Sequence, residues 1–176
     1  MSVAKLALTI RTIPDFPKPG ILFRDISPLL EDAALFHETI DLLARECTPH
    51  QPSKIVGVDA RGFIFGAALA YKLGLGFVPV RKKGKLPSLT LSHSYDLEYG
   101  SAELEIHTDS IRPGEQVIVV DDLLATGGTA GAVLKLLAQV GAKVLLALFV
   151  VELPDLGGRA HLAPCEVRSL MVFGDQ

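Results

Sequence analysis

The chain has 176 residues, 49% hydrophobic and 21% charged, with a formal net charge of −3. That size fits one domain, residues 1–176, and the acidic balance argues against a non-specific nucleic-acid binder. No uncharged apolar run approaches the about 20 residues of a membrane span, and residues 2–10 interrupt their mild apolarity with Lys5 instead of building a signal peptide. A cytoplasmic protein that engages neither membrane nor nucleic acid is expected. Two cysteines, Cys47 and Cys165, and five histidines without ligand spacing suggest neither a disulfide framework nor a protein-held metal site. Cys47 falls on the apolar stripe of Phe36, Ile40 and Leu43 and reads as a core thiol.

Residues 1–30 differ in kind from the rest. Asp15-Phe16-Pro17-Lys18-Pro19-Gly20 is a proline-rich turn, residues 21–26 read as a short strand, and Ser27-Pro28 breaks it. This segment looks like a cap on a larger core. Asp32 can cap a helix with Leu35, Phe36, Ile40, Leu43 and Cys47 on its apolar face, ended by Pro49 and Pro52. Buried strands and helices then alternate: a strand at 54–58, a helix over 62–73 so apolar all round that deep burial is expected, and a strand at 76–80. Residues 83–100 are polar and suggest a loop and hairpin arm with 102–106 as the return strand. A strand at 117–120, a helix over 128–140 with Ala130, Val133, Leu134 and Leu137 inward and Gly141 as its stop, and a buried strand at 143–151 follow. A short helix and a last strand at 166–173 complete the pattern. Strands separated by helices of this length imply a doubly wound α/β fold, with a mainly parallel sheet and helices on both faces.

The most informative stretch runs from Val117 to Thr129. A buried strand delivers Asp121-Asp122 to the carboxyl edge of the sheet, where open α/β sheets bind ligands. Leu123-Leu124-Ala125-Thr126-Gly127-Gly128-Thr129 then leads into a helix. The glycines let the backbone come close to a ligand. The unpaired N–H groups of the helix start can hold a phosphate, with Thr126 and Thr129 adding hydroxyl donors. There is no Gly-Lys-Ser/Thr and no Gly-x-Gly-x-x-Gly, which excludes a Walker loop and a dinucleotide fingerprint. Adjacent carboxylates beside a phosphate fit ribose hydroxyls, which donate to them, and a substrate-bound Mg²⁺. A second strand-to-helix turn at Val58-Asp59-Ala60-Arg61-Gly62 offers Arg61 to an anion. Arg81, Lys82 and Lys85 concentrate positive charge on an acidic chain, as a small anionic ligand would require.

In order, the blocks DFPKPGILFRDISPLL, VDARGF, RKKGKLP, YDLEYG and VVDDLLATGGT resemble the adenine phosphoribosyltransferases of the type I phosphoribosyltransferase family. The resemblance implies transfer of a phosphoribosyl group from phosphoribosyl pyrophosphate to adenine, giving AMP and pyrophosphate in purine salvage. Mg²⁺ would be held mainly through the substrate pyrophosphate and ribose hydroxyls. It also implies a hood over the base site in residues 1–30 and a mobile catalytic lid in 83–100. Glu98 would manage the proton on the base, with Tyr99 beside it. Main-chain groups of Leu22 and Arg24 would read adenine while Phe23 and Leu123 sandwich it. Asp59, Ala60 and Arg61 would form the pyrophosphate loop, with a cis peptide at Asp59–Ala60. Asp121, Asp122, Ala125, Thr126, Gly127, Gly128 and Thr129 would hold the ribose phosphate. A homodimer is implied, with Arg81 reaching the neighbouring subunit's site. Oxopurine transferases carry a carboxylate at the position of Ala125, so its absence favours adenine. Two rivals follow: a sister transferase using another base, and a non-catalytic sensor of phosphoribosyl pyrophosphate.

Overall fold

The computed structural model describes residues 3–96 and 100–174. Helix α1 (Val3–Ala7) buries Leu6 and packs on the far edge of the sheet. Strands β1 (Arg11–Pro14) and β2 (Leu22–Asp25) pair antiparallel into a separate two-stranded sheet joined by the proline-rich turn, whose Phe16–Pro17 bond is cis. The expected break at Ser27-Pro28 is instead the start of a short helix, α2 (Ser27–Glu31). Proline fits there because the first helical turn has no use for its missing N–H. Helix α3 (Ala33–Cys47) starts where Asp32 Oδ1 accepts from the N–H groups of Ala34 and Leu35 at 2.8 and 3.0 Å.

Then come β3 (Lys54–Val58), α4 (Arg61–Leu73), β4 (Gly76–Lys82), β5 (Thr90–Asp96), β6 (Ser101–His107), β7 (Gln116–Leu124), α5 (Gly128–Gln139), β8 (Lys143–Glu152), α6 (Gly158–His161) and β9 (Val167–Val172). The large sheet has the order β5-β6-β4-β3-β7-β8-β9. Five strands (β4, β3, β7, β8, β9) run parallel, and β5–β6 forms an antiparallel arm on β4. The mainly parallel α/β sheet is thus the architecture the alternating pattern implies. The polar 83–100 stretch supplies the outgoing strand of the arm, and its return strand lies where expected.

Pleating divides the core. Ile118 and Val120 of β7 join Ile55, Leu146 and Leu148 beneath α3 and α4, while Val117 and Val119 join Val56, Val58 and Val78 beneath α5. Each such side chain contributes about 1.5–3 kcal/mol by leaving water. Cys47 sits in the first of these cores, and burial pushes its thiol up to about 12. That matches an inert core thiol.

Three further expectations need correction. The strand expected at 117–120 is longer and takes in the acid pair: β7 runs on to Leu124, with Asp121 opposite Phe149 and Leu123 opposite Val151 of β8. The long β8 offers a partner that far, so pairing with it overrides the turn tendency of two aspartates. In α5 the buried set includes Leu136, while Leu134 is only half-buried. Helix α4 is not buried all round, because Ile64 is partly exposed and Tyr71 is 89% exposed. The sheet and α3 cover parts of this helix, and Ile64 and Tyr71 lie on the face left exposed among the described residues.

Candidate active site

Strand β7 carries Asp121 and Asp122 to the carboxyl edge of the sheet, and Ala125, Thr126 and Gly127 bridge to α5. Gly127 holds a φ of +84°, the left-handed region that favours glycine, and acts as the N-cap of α5. The turn leaves the first N–H groups of α5 facing a 260 Å³ cavity lined by residues 121–130 and by Asp59, Ala60 and Arg61. The structure therefore brings Asp121, Asp122, Leu123, Ala125, Thr126, Gly127, Gly128 and Thr129 into one cradle with the second turn. Thr129 is anchored from the arm, its Oγ1 lying 3.2 Å from the Tyr95 hydroxyl.

The second turn joins β3 to α4. Its Asp59–Ala60 bond is cis, as the resemblance implies. Arg61 Nε lies 2.8 Å from Asp122 Oδ2, so the arginine expected to meet an anion is paired with an acid of the neighbouring strand. Asp122 is buried, its side chain only 8% exposed. The Asp122 N–H donates to Asp121 Oδ1 at 2.8 Å. Burial, reinforced by the adjacent Asp122 charge, pushes the Asp121 carboxyl well above the usual carboxylate range. Gly62 makes room for it, because a Cβ there would lie 2.7 Å from Asp121 Oδ1.

Arg81 lies at the rim. Its Nε donates to Asp59 Oδ2 at 3.3 Å and its Nη1 to the Lys85 carbonyl at 3.2 Å. Lys82 and Lys85 are exposed beside it and do not line the cavity. One residue that sequence reasoning missed organises this loop. The buried Glu105 accepts from the Lys85 and Leu86 N–H groups at 3.0 and 2.7 Å. Burial alone would raise its pKa, but these backbone bonds outweigh it and hold the carboxyl below its ordinary range. A glutamate in an alternating strand gives no sequence signal for that role. Glu98 and Tyr99 lie outside the described residues.

The small sheet approaches from the other side. Arg61 stacks over Phe23, its guanidinium carbon 5.9 Å from the ring centroid, and Phe16 meets the same ring edge-on at 5.1 Å. Pro14 faces Leu22 across the β1–β2 ladder and has no N–H to give. The Leu22 carbonyl therefore receives no ladder bond from its opposite residue. Arg24 turns away from Phe23 and lies over Phe173, its guanidinium carbon 4.8 Å from that centroid.

A parallel sheet with an acid pair, a glycine turn and a helix start at its carboxyl edge defines an α/β protein built to hold a phosphate ester with hydroxyls beside it. Residues 30–160 match the phosphoribosyl transferase domain. The chain is 56% identical over 167 residues to the adenine phosphoribosyltransferase of Bradyrhizobium sp. (strain ORS 278), covering 94% of this chain and 93% of that one. The crystal structure of adenine phosphoribosyltransferase from Thermoanaerobacter pseudethanolicus superposes with a TM-score of 0.95 at 49% identity, covering 98% of this chain and all of that one. The Saccharomyces cerevisiae enzyme, complexed with an imino-altritol bisphosphate and adenine, superposes with a TM-score of 0.91 at 44% identity, covering 96% and 97%. The chain belongs to the phosphoribosyltransferase family, among its adenine phosphoribosyltransferases.

Proposed function

We propose that the chain is an adenine phosphoribosyltransferase of purine salvage, converting adenine and phosphoribosyl pyrophosphate to AMP and pyrophosphate. The observation that carries this reading is the meeting of two turns in one cavity, with Phe23 of the small sheet stacked on the arginine of one of them. The cradle at residues 125–129 takes the ribose phosphate. Asp121 and Asp122 accept from the ribose hydroxyls, and residues 59–61 take the pyrophosphate. Adenine lies between Phe23 and Leu123 and is read by the main chain of Leu22 and Arg24. The Leu22 carbonyl suits the amino group of adenine because β1 supplies it no donor from Pro14. Residues 1–30 act as the hood and 83–100 as the lid.

Glu98 holds and moves the proton at the imidazole edge of the base. Support comes from where β5 ends: a Cβ on Gly128 would lie 3.7 Å from the Tyr95 ring and 4.0 Å from the Asp96 carbonyl, so the arm leads onto the cradle. Replacing Glu98 by Gln lowers turnover and leaves the fold intact; unchanged turnover would remove it from the mechanism.

Magnesium fits this donor set. It keeps most of its waters and takes one or two carboxylates with substrate phosphates, and Asp121 and Asp122 stand where substrate hydroxyls would be. When bound it supplies charge neutralisation to the departing pyrophosphate. The working unit is a homodimer, supported by the uncovered Ile64 and Tyr71 on α4, and Arg81 reaches the partner's site across it. We place the protein in the cytoplasm; no helix among the described residues is long and apolar enough to cross a membrane.

The deciding experiment is base competition with purified protein. Adenine should be consumed with release of pyrophosphate, against little turnover of hypoxanthine or guanine. Preference for an oxopurine, or binding of phosphoribosyl pyrophosphate without turnover of adenine, would overturn the reading.

A further inference from the structure

Behind the phosphate cradle lies α6, which does not line the cavity. Its first residue, Gly158, is buried. A Cβ there would run into the Ala125 carbonyl oxygen and would lie 2.8 Å from Leu124 Cδ1 and 3.1 Å from the Gly127 nitrogen. The fit is mutual, since a Cβ on Gly127 would come within 2.9 Å of the Gly158 carbonyl. Two backbone segments, one in the cradle and one behind it, touch with no side chain between them.

What fixes α6 there is Arg159. Its Nε donates to Glu152 Oε1 at 2.9 Å, its Nη2 to Oε2 at 2.5 Å, and its Nη1 to the Val167 carbonyl at 2.6 Å. Glu152 ends β8 with its side chain 4% exposed, and the Ser169 hydroxyl of β9 donates to Oε2 at 2.6 Å. The arginine bond leads, with burial opposing and Ser169 assisting, in holding this carboxyl below the usual carboxylate range. A two-pronged guanidinium–carboxylate pair fixes direction as well as distance. The Leu153 N–H donates to the Leu124 carbonyl at 2.9 Å, binding the same segment to the end of β7. The fork thus ties β8, β9 and α6 into a wall against which residues 125–127 rest.

We propose that Gly158, locked by the Arg159–Glu152 fork, positions the phosphate cradle: it sets the depth of the 125–127 backbone so that the N–H groups at the start of α5 converge on the substrate phosphate. Gly158, Arg159 and Glu152 are positioning residues that act through the cradle. The inference rests on the sugar-phosphate reading of that cradle and adds the element that shapes it.

The test compares Gly158→Ala, Arg159→Gln and Arg159→Lys with the parent enzyme. Calorimetry gives the dissociation constant for ribose 5-phosphate, and steady-state kinetics give separate KM values for phosphoribosyl pyrophosphate and adenine. Gly158→Ala should weaken ribose 5-phosphate and raise the donor KM by about tenfold or more. The adenine KM and kcat should stay within about twofold, because binding through the cradle alone is lost. Arg159→Gln should show a smaller loss of the same selective kind, and Arg159→Lys should recover part of it through its remaining charged donor. Arg168→Gln, at an exposed ion pair with Glu46 and Glu166, should match the parent.

Unchanged ribose 5-phosphate affinity in folded Gly158→Ala and Arg159→Gln overturns the proposal, as does a parallel decline of the donor and adenine parameters. Should Gly158→Ala fail to fold, the two Arg159 variants, which add nothing to the backbone contact, decide by the same readings. A parent enzyme that binds no ribose 5-phosphate overturns the site reading and this inference together, whereas a parent that binds beside variants that bind equally overturns this inference alone.

Discussion

Two strand-to-helix turns lie side by side at the carboxyl edge of the sheet, on the neighbouring parallel strands β3 and β7. They solve the problem of holding an anion differently. The β7–α5 turn offers backbone N–H groups, opened by Gly127. The β3–α4 turn offers a side-chain cation, Arg61, and pairs it with Asp122. With Gly127 at the N-cap no side chain caps α5, so its first backbone donors stay directed at the cavity. A guanidinium beside a buried acid is drawn to it. On the proposed function, one turn is a fixed receptor and the other exchanges partners.

The sharpest way to break this comparison is at Gly127. Gly127→Ala forces a side chain into the left-handed region, costing about 1–2 kcal/mol, and presses on Gly158. It should lower kcat/KM by about 100-fold and shift urea unfolding to lower denaturant. Near-parental activity would show that the glycine turn is not the receptor. Next comes Arg61→Gln. Loss of a charged hydrogen bond of about 1.5–3 kcal/mol should raise the KM for pyrophosphate in the reverse reaction about tenfold while barely moving ribose 5-phosphate. Equal losses for both ligands would merge the two turns into one site.

Asp121→Asn sharpens the contrast through pH. A carboxyl whose folded pKa is raised binds more protons folded than unfolded above the ordinary carboxylate value, so stability falls as pH rises through that window. The asparagine variant lacks this slope. Its Tm should exceed the parent's near neutrality and converge with it as pH falls toward the ordinary carboxylate range, while its ribose 5-phosphate binding weakens. Parallel Tm curves would remove the raised carboxyl. The smallest effect belongs to Asp41→Asn, at the exposed Lys72–Asp41 pair between α3 and α4. Screening by solvent makes such pairs weak, so neither melting nor kinetics should move.

The contrast also explains what was legible in the amino-acid order. Strands β3, β7 and β8 and helices α4 and α5 announce themselves because hydrophobic burial writes long apolar runs, and Gly127-Gly128 after Asp121-Asp122 marks the fixed receptor by residue type alone. The exchanging turn was visible as a strand-to-helix turn carrying an arginine, but its pairing with Asp122 was not, since that depends on β3 and β7 being neighbours in space. Glu105 was silent for the same reason: its donors are loop N–H groups some twenty residues earlier in the chain. Strand β1 and helices α1 and α2 are short and take their stability from what they dock on. The exposed Tyr71 broke the deep-burial expectation for α4 because composition cannot say which side of a helix the sheet covers.

The Arg61–Asp122 pair has a consequence for which molecules the cleft accepts. An anion that draws Arg61 away leaves a carboxylate with 8% side-chain exposure lacking its counterion. A buried charge without a partner is strongly disfavoured. A ligand bearing only phosphate must bear that penalty, and a ligand bearing only hydroxyls cannot displace the arginine. A molecule presenting both at the right separation satisfies both ends of the broken pair in one event. On the proposed function, the Arg61–Asp122 pair would act as a coincidence detector, favouring a ligand that carries phosphate and hydroxyls together over one that carries either alone.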